Sequence, residues 1–135
     1  MSYIVDSSIW VDFFRAASPV ALKRQVVKLI DDQAAMICEP VLFELLRAAP
    51  AAARKKVEAH LELLPIASTP HGLWRDAAQL GQKCIGRGLL PPAMDLLIAQ
   101  VCLHHDLELV TFDQHFVDIA RLTPLRARIL NRALK

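Results

Sequence analysis

Several things are scarce in this chain, and each scarcity removes a class of function. No stretch approaches the roughly 18 consecutive apolar residues that a membrane-spanning helix needs, so no membrane span is expected. No signal peptide is expected either, because the N-terminus passes straight into a short strand ending at Asp6. There are 3 cysteines, Cys38, Cys84 and Cys102, with no C-x-x-C among them. An odd, scattered set lying among apolar residues reads as buried free thiols rather than a disulfide framework or a zinc site, which fits a reducing cytoplasm. The net charge is only +2, too small to demonstrate a nucleic-acid ligand by itself. Aromatics make up 6%, so stacking platforms for bases are few. No G-x-S-x-G occurs to mark a serine nucleophile. Repeats, linkers and low-complexity segments are absent.

What remains is a chain of 135 residues with a hydrophobic fraction of 54% and 22% charged residues. That size and composition predict one globular domain, residues 1–135, with a well-packed core and an apolar surplus suited to a partner surface. The charge is unevenly placed. Arg121, Arg126, Arg128, Arg132 and Lys135 crowd the last eighteen residues, and Arg54-Lys55-Lys56 form a second cluster. Either can hold phosphates, and either reads equally well as a solvated helix face.

Apolar patterning predicts alternating short strands and helices. Residues 2–6 read as a buried strand, with Ser7-Ser8 capping a short helix over Ile9–Phe14. Ser18-Pro19 restarts a helix whose Val20, Val26, Val27 and Ile30 share a face. Ala34–Cys38 reads as a second strand, Pro40 opens a third helix, and Pro50 breaks it before an Ala-rich helix through Leu63. Leu64–Ala67 fits an edge strand, where proline is tolerated. Thr69-Pro70 starts a helix to about Arg87, with Leu73, Trp74, Ala77, Leu80, Cys84 and Ile85 inward. Ala93–His104 follows as a buried helix, then a strand over Leu107–Val110, a short helix over Gln114–Ala120, and a last strand near Arg126–Leu130. This order predicts an α/β fold, a three-layer α/β/α sandwich on a short, mostly parallel sheet of about four or five strands.

Four carboxylates stand where apolar runs meet turns or helix starts. Asp6 ends Tyr3-Ile4-Val5. Glu44 lies within Pro40–Leu46. Asp95 follows Pro91-Pro92, and Asp113 follows Leu109-Val110-Thr111. In an open parallel sheet, such positions converge beside the carboxyl ends of the strands. Carboxylates brought that close repel one another unless a divalent cation sits between them. A Mg²⁺ ion so held can activate water against a phosphodiester. A metal-dependent nuclease is therefore the leading expectation, with Mg²⁺ or Mn²⁺ as the cofactor suited to oxygen ligands.

The same residues carry a resemblance. Ile4-Val5-Asp6-Ser7-Ser8-Ile9-Trp10-Val11-Asp12 resembles the first motif of PIN domains, most of all the VapC toxins of bacterial toxin–antitoxin pairs. Pro40–Leu46, Met94–Ala99 and Thr111–Phe116 match further motifs in order, so the resemblance spans nearly the whole chain. It implies a Mg²⁺- or Mn²⁺-dependent endoribonuclease with Asp6, Glu44, Asp95 and Asp113 as its acidic pocket. Asp6 and Asp95 would be direct metal ligands, and Asp113 would bind through water or hold a second ion. Glu44 would orient the attacking water or act as a base. Ser8 and Thr111 would hydrogen-bond these carboxylates. The resemblance also implies a homodimer, an RNA substrate and a small cognate antitoxin. Trp10, Phe13 and Phe14, with Ala48–Ala53, are contact surfaces for that antitoxin or, equally, ordinary core. Arg15, Arg47 and the basic tail are RNA-contact candidates. The chain departs from many relatives at Gln100-Val101-Cys102, where small residues are usual, and at Pro91-Pro92 beside the pocket; both bear on substrate choice more than on catalysis.

Plainer readings compete with each residue. Asp6 can simply cap a helix, Asp95 can favour a helix N-terminus, Asp113 can shape a turn, and Glu44 can be a surface residue. Asp12 is expected to be structural, His104-His105 to meet the last carbonyls of their helix, and His115 to diverge from the pocket. His60 and His71 read as surface or cap positions. Two rivals keep an acidic α/β pocket without nuclease chemistry. One is a receiver-like signalling module, which would need paired acids after the first strand and a late lysine, whereas no lysine occurs between Lys83 and Lys135. The other is a non-catalytic relative that retained the fold.

Overall fold

The computed structural model describes residues 2–132, so Lys135 and the rest of the basic tail beyond Arg132 lie outside the described residues. The core is a five-stranded parallel sheet: β1 (Tyr3–Val5), β2 (Ala35–Cys38), β3 (Ile66–Ala67), β4 (Glu108–Thr111) and β5 (Ala127–Ile129). The strand order is β3-β2-β1-β4-β5. Every residue of β1 is buried, as a strand covered on both faces requires. Its register sets Ile4 beside Met36 on one side and Leu109 on the other. The edges are weaker. β3 is two residues long with Ile66 exposed, and β5 is only partly buried.

Helices α1 (Ser7–Phe14) and α2 (Val20–Asp31) join β1 to β2. From β2 to β3 the chain runs through α3 (Glu39–Ala48), a 3₁₀ turn at Ala51–Ala53, and α4 (Arg54–Leu61). After β3 it turns back. Helices α5 (Leu73–Ile85) and α6 (Ala93–His105) carry it past β2 and β1 to lay β4 on β1's free side, and α7 (His115–Leu122) leads on to β5. This reversal gives the three-layer α/β/α sandwich and creates a switch point between β1 and β4, where open parallel sheets bind their ligands. No helix among the described residues is long and apolar enough to cross a membrane.

Helix α6 is the most deeply set, with Leu97, Ile98, Ala99, Val101 and Cys102 buried. Gly81 brings α5 close to it. A Cβ there would stand 3.1 Å from Leu96 Cδ1, so any side chain at this position would push the end of Leu96 aside. Cys38, Cys84 and Cys102 are free and buried.

Some local expectations need correction. Asp6, rather than Ser7 or Ser8, is the N-cap of α1. Pro19 occupies the N-cap of α2, and the Ser18 hydroxyl donates instead to the Asp12 carbonyl. The buried positions of α2 are Leu22 and Val26, while Val20 and Val27 face solvent. Helix α5 begins three residues beyond Pro70, because Gly72 takes φ +83° and supplies the left-handed turn before it. From that start Trp74 and Ile85 point outward, with relative exposures of 74% and 61%.

Candidate active site at the switch point

The four acids are carried by four different elements. Asp6 follows β1, and its backbone N–H extends the ladder by donating to Val110 O at 2.9 Å. Glu44 is in the middle of α3, Asp95 in the first turn of α6, and Asp113 just beyond β4. All four line one cavity of about 380 Å³, together with Ser7, Ser8, Asp12, Arg15 and Arg132.

Two of the plainer roles hold. Asp6 does cap α1, and Asp113 Oδ1 accepts the His115 N–H at 2.9 Å, which starts α7. The capping geometry is what orients these side chains. Asp6 is 2% exposed, and its Oδ2 takes hydroxyl donors from Ser8 and Thr111, each at 2.7 Å. Oδ1 is buried without a hydrogen-bond partner among the described residues, as is Oδ2 of Asp95. Buried carboxylate oxygens are costly when unpaired. Such oxygens are hard donors of the kind a divalent cation takes. Glu44 accepts the Ser7 hydroxyl at 2.7 Å, which fixes its rotamer.

Electrostatics tell the same story. Burial pushes the Asp95 carboxyl up to about 6, and the neighbouring charges of Asp113 and Asp6 add to that, while His115 works the other way. Among the described residues, Asp95, Asp113 and His115 each offer a ligand atom within 4.8 Å of the others, a group that includes neither Asp6, expected as a direct ligand, nor Glu44.

His115 corrects an expectation. Its ring does not diverge from the pocket: Nδ1 lies 3.1 Å from Asp113 Oδ1 and 3.4 Å from Asp95 Oδ2. At 3.4 Å the ring is near enough to Asp95 Oδ2 to favour its charged form without making a well-formed hydrogen bond. The cause is the turn at Asp113, which folds the first residue of α7 back over the acid that precedes it. A Thr-x-Asp-x-His run after a strand carries that signal in the sequence.

Other candidates fall out differently. Asp12 is buried and paired with Arg132, Nε to Oδ2 at 2.7 Å, as a structural role requires. Arg15 lines the cavity, 3.9 Å from Asp12 Oδ1. Arg47 does not. It lines a separate depression and its guanidinium stands over the Phe43 ring, 6.0 Å from the centroid. Trp10 is fully buried, hence core rather than contact surface. Phe14, by contrast, lines an apolar groove of about 360 Å³ with Ala48, Ala49 and Ala53. His60 packs on Phe13 and Phe14, and His105 meets the Ser68 carbonyl across 2.7 Å rather than its own helix end. Ser7 and the individual position of Arg132 escaped the sequence reading. Ser7 is marked only by its place after the strand-ending acid, and Arg132 only as one cation of a tail.

Comparison with known proteins bears on this geometry. A model of the PIN domain matches residues 3–122. A VapC ribonuclease of Mycobacterium bovis is 30% identical over 135 residues, covering 92% of this chain and 96% of that protein. Ribonuclease VapC11 of Mycobacterium tuberculosis matches to the same extent. Among solved structures, VapBC2 of Rickettsia felis bound to a promoter DNA fragment aligns with a TM-score of 0.72 at 20% identity, over 97% of this chain and 100% of that one. VapBC-5 of Mycobacterium tuberculosis gives 0.66 at 19% identity, over 96% and 98%. At such identities the structural likeness speaks to the fold, while the sequence matches speak to ancestry. With its acids gathered at the β1–β4 switch point and its length matched almost end to end, the chain belongs to the PIN-domain family.

Proposed function

We propose that this chain is a metal-dependent endoribonuclease, the toxin of a toxin–antitoxin pair, acting as a single domain over residues 1–135. The observation that carries the reading is the convergence of four carboxylates on one cavity, two of them with buried, unpartnered oxygens. The relatives named as VapC ribonucleases support it.

Asp95 and Asp113, with Asp6 on the same cavity, would hold Mg²⁺ or Mn²⁺, and the imidazole of His115 beside Asp95 and Asp113 suits Mn²⁺ better than Mg²⁺. Bound there, the ion would lower the pKa of a coordinated water and offset the charge that grows on the phosphate. Ser8 and Thr111 fix Asp6 through one oxygen and leave the other for the ion. Glu44, steadied by Ser7, would accept the proton of the water that attacks phosphorus while the bridging P–O bond of the RNA breaks and its oxygen leaves with a proton from solvent. Arg15 meets the RNA backbone at the cavity rim.

The reading includes a homodimer, a small antitoxin and work in the cytoplasm, where the three buried thiols stay reduced. Phe43, Trp74 and Leu90 are exposed by 57%, 74% and 83%, apolar surface suited to a second protomer. The groove beside Phe14 suits the apolar face of an antitoxin helix. A receiver-like reading finds no support, since no lysine is among the described residues lining the cavity.

The test is cleavage of a mixed tRNA and rRNA pool with Mn²⁺ or Mg²⁺ by the partner-free protein and by Asp95→Asn. Discrete cuts by the parent, lost with chelator and lost in the variant, are expected. Equal cutting by both proteins would refute the site.

A further inference from the structure

One charged group at the cavity lies outside the cluster of Asp95, Asp113 and His115. Asp12 stands between two arginines that also line the cavity, Arg132 at 2.7 Å from Oδ2 and Arg15 at 3.9 Å from Oδ1. Two cations share one anion, so this part of the cavity lining carries a surplus positive charge.

Arg132 is the better organised of the two. Its Nε donates to Asp12, and its guanidinium lies over the Phe112 ring, 5.2 Å from the centroid. A contact on the ring face and a bond at one edge together fix the plane of the group. Among the described residues the bond from Nε is the one hydrogen bond Arg132 makes, so the Nη edge of the fork is available to another acceptor. The side chain keeps 54% exposure while Asp12 keeps 10%. A buried acid thus anchors a half-exposed, oriented guanidinium. The ring beneath it belongs to Phe112, between Thr111 and Asp113, and the Phe112 N–H itself donates to Ser8 Oγ at 3.2 Å. The arginine is therefore held in register with the acids rather than merely near them.

An RNA strand approaching four carboxylates needs a cation placed to receive a phosphate beside the scissile one. A planar fork with one edge anchored and the other open matches a phosphate's paired oxygens. We propose that Arg132, positioned by Asp12 and Phe112, forms a phosphate-binding subsite at the rim of the acidic cavity for the backbone of single-stranded RNA. The proposal rests on the ribonuclease reading and extends it to how substrate is held. The competing view is a clasp, in which Arg132 only ties the segment after β5 to α1.

Salt dependence separates the two, because a lost phosphate contact flattens the slope of log Kd against log salt by about 0.7 on a single strand, and a lost clasp does not. The full-length chain carrying Asp95→Asn binds a fluorescent mixed-sequence RNA 12-mer, followed by anisotropy between about 50 and 200 mM salt. Adding Arg132→Gln is expected to weaken binding severalfold at low salt and flatten the slope by about that amount, with Arg132→Lys restoring the slope. Thermal unfolding is recorded alongside. If Arg132→Gln does not fold, Arg132→Met, which keeps an unbranched stem against Phe112, carries the comparison. An unchanged slope, or no binding of the 12-mer at all, would overturn the subsite. Cleavage by the parent with Mn²⁺ is scored separately. Cleavage with an unchanged slope sinks the subsite and leaves the ribonuclease; a flattened slope without cleavage sinks the ribonuclease and leaves the subsite.

Discussion

The Thr111 hydroxyl donates to Asp6 Oδ2 across 2.7 Å, tying the end of β4 to the residue that ends β1. Ser8 reaches the same oxygen, so both hydroxyls saturate one side of the carboxylate and leave Oδ1 bare. Thr111→Val removes one donor while keeping shape. Metal affinity should fall by about 10–100-fold, the usual effect of losing a group that orients a ligand. Thr111→Ser should stay near the parent. Calorimetric titration with Mn²⁺ checks both, and equal affinity in the Val variant would remove Thr111 from the site.

Asp95 stores repulsion. Its carboxyl titrates at about 6 against an ordinary 3.8, first because it is buried and then because Asp113 and Asp6 are close. The folded state therefore binds the proton more tightly than the unfolded chain. Stability of the metal-free protein should fall as pH rises from 3.8 to about 6, and stay lower above that window. Asp95→Asn abolishes the effect. It should gain about 1–2 kcal/mol at pH 7, after discounting for the carboxyl's partial exposure. Urea unfolding of both proteins at pH 4 and pH 7 gives the comparison. A variant less stable than the parent at pH 7 would contradict it.

The same shift governs metal binding. Protons and a cation compete for Asp95, so Mn²⁺ affinity should drop as pH falls through about 6. His115 lowers the Asp95 value. His115→Ala should therefore move the midpoint of that loss to higher pH. A midpoint that moves down, or does not move, would mean that His115 acts only as a ligand.

Much of this was legible in the sequence because the signals are local. Ile4 and Val5 read as a buried strand because β1 is covered on both faces, and the acids stand at strand ends and helix starts where chain direction alone sends them to one edge. The edge strand after Pro65 and the last strand near Ala127 were also readable. Rotational phase was harder. Trp74 and Ile85 each follow a residue of the buried Leu73–Ala77–Leu80–Cys84 stripe, and one residue turns a helix by about 100°, enough to carry both out of the core. Some individual side-chain pairs distant in sequence were not legible. Nothing near Arg132 announces Asp12, 120 residues away, and nothing near His115 announces Asp95.

Tyr3 offers a control at the opposite end of β1 from the site. Its hydroxyl donates to Leu29 O at 2.7 Å. Leu29 lies in the last turn of α2, whose final carbonyls have no partner within the helix, so the tyrosine satisfies a group the helix leaves open. Burial raises the phenol's pKa, with the nearby Asp32 next in effect, so the hydroxyl keeps its proton and remains a donor through neutral pH. Tyr3→Phe deletes the donor and keeps the ring under the Arg128 guanidinium, 5.2 Å away. It should cost about 0.5–1.5 kcal/mol of stability, the usual net worth of one such bond. Because β1 runs from this residue toward Asp6, RNA cleavage and Mn²⁺ affinity should be unchanged below the unfolding transition. Denaturant midpoints with Mn²⁺ titrations on the same preparation decide it. A loss of metal affinity without a loss of stability would mean that the two ends of β1 are coupled more tightly than its packing indicates.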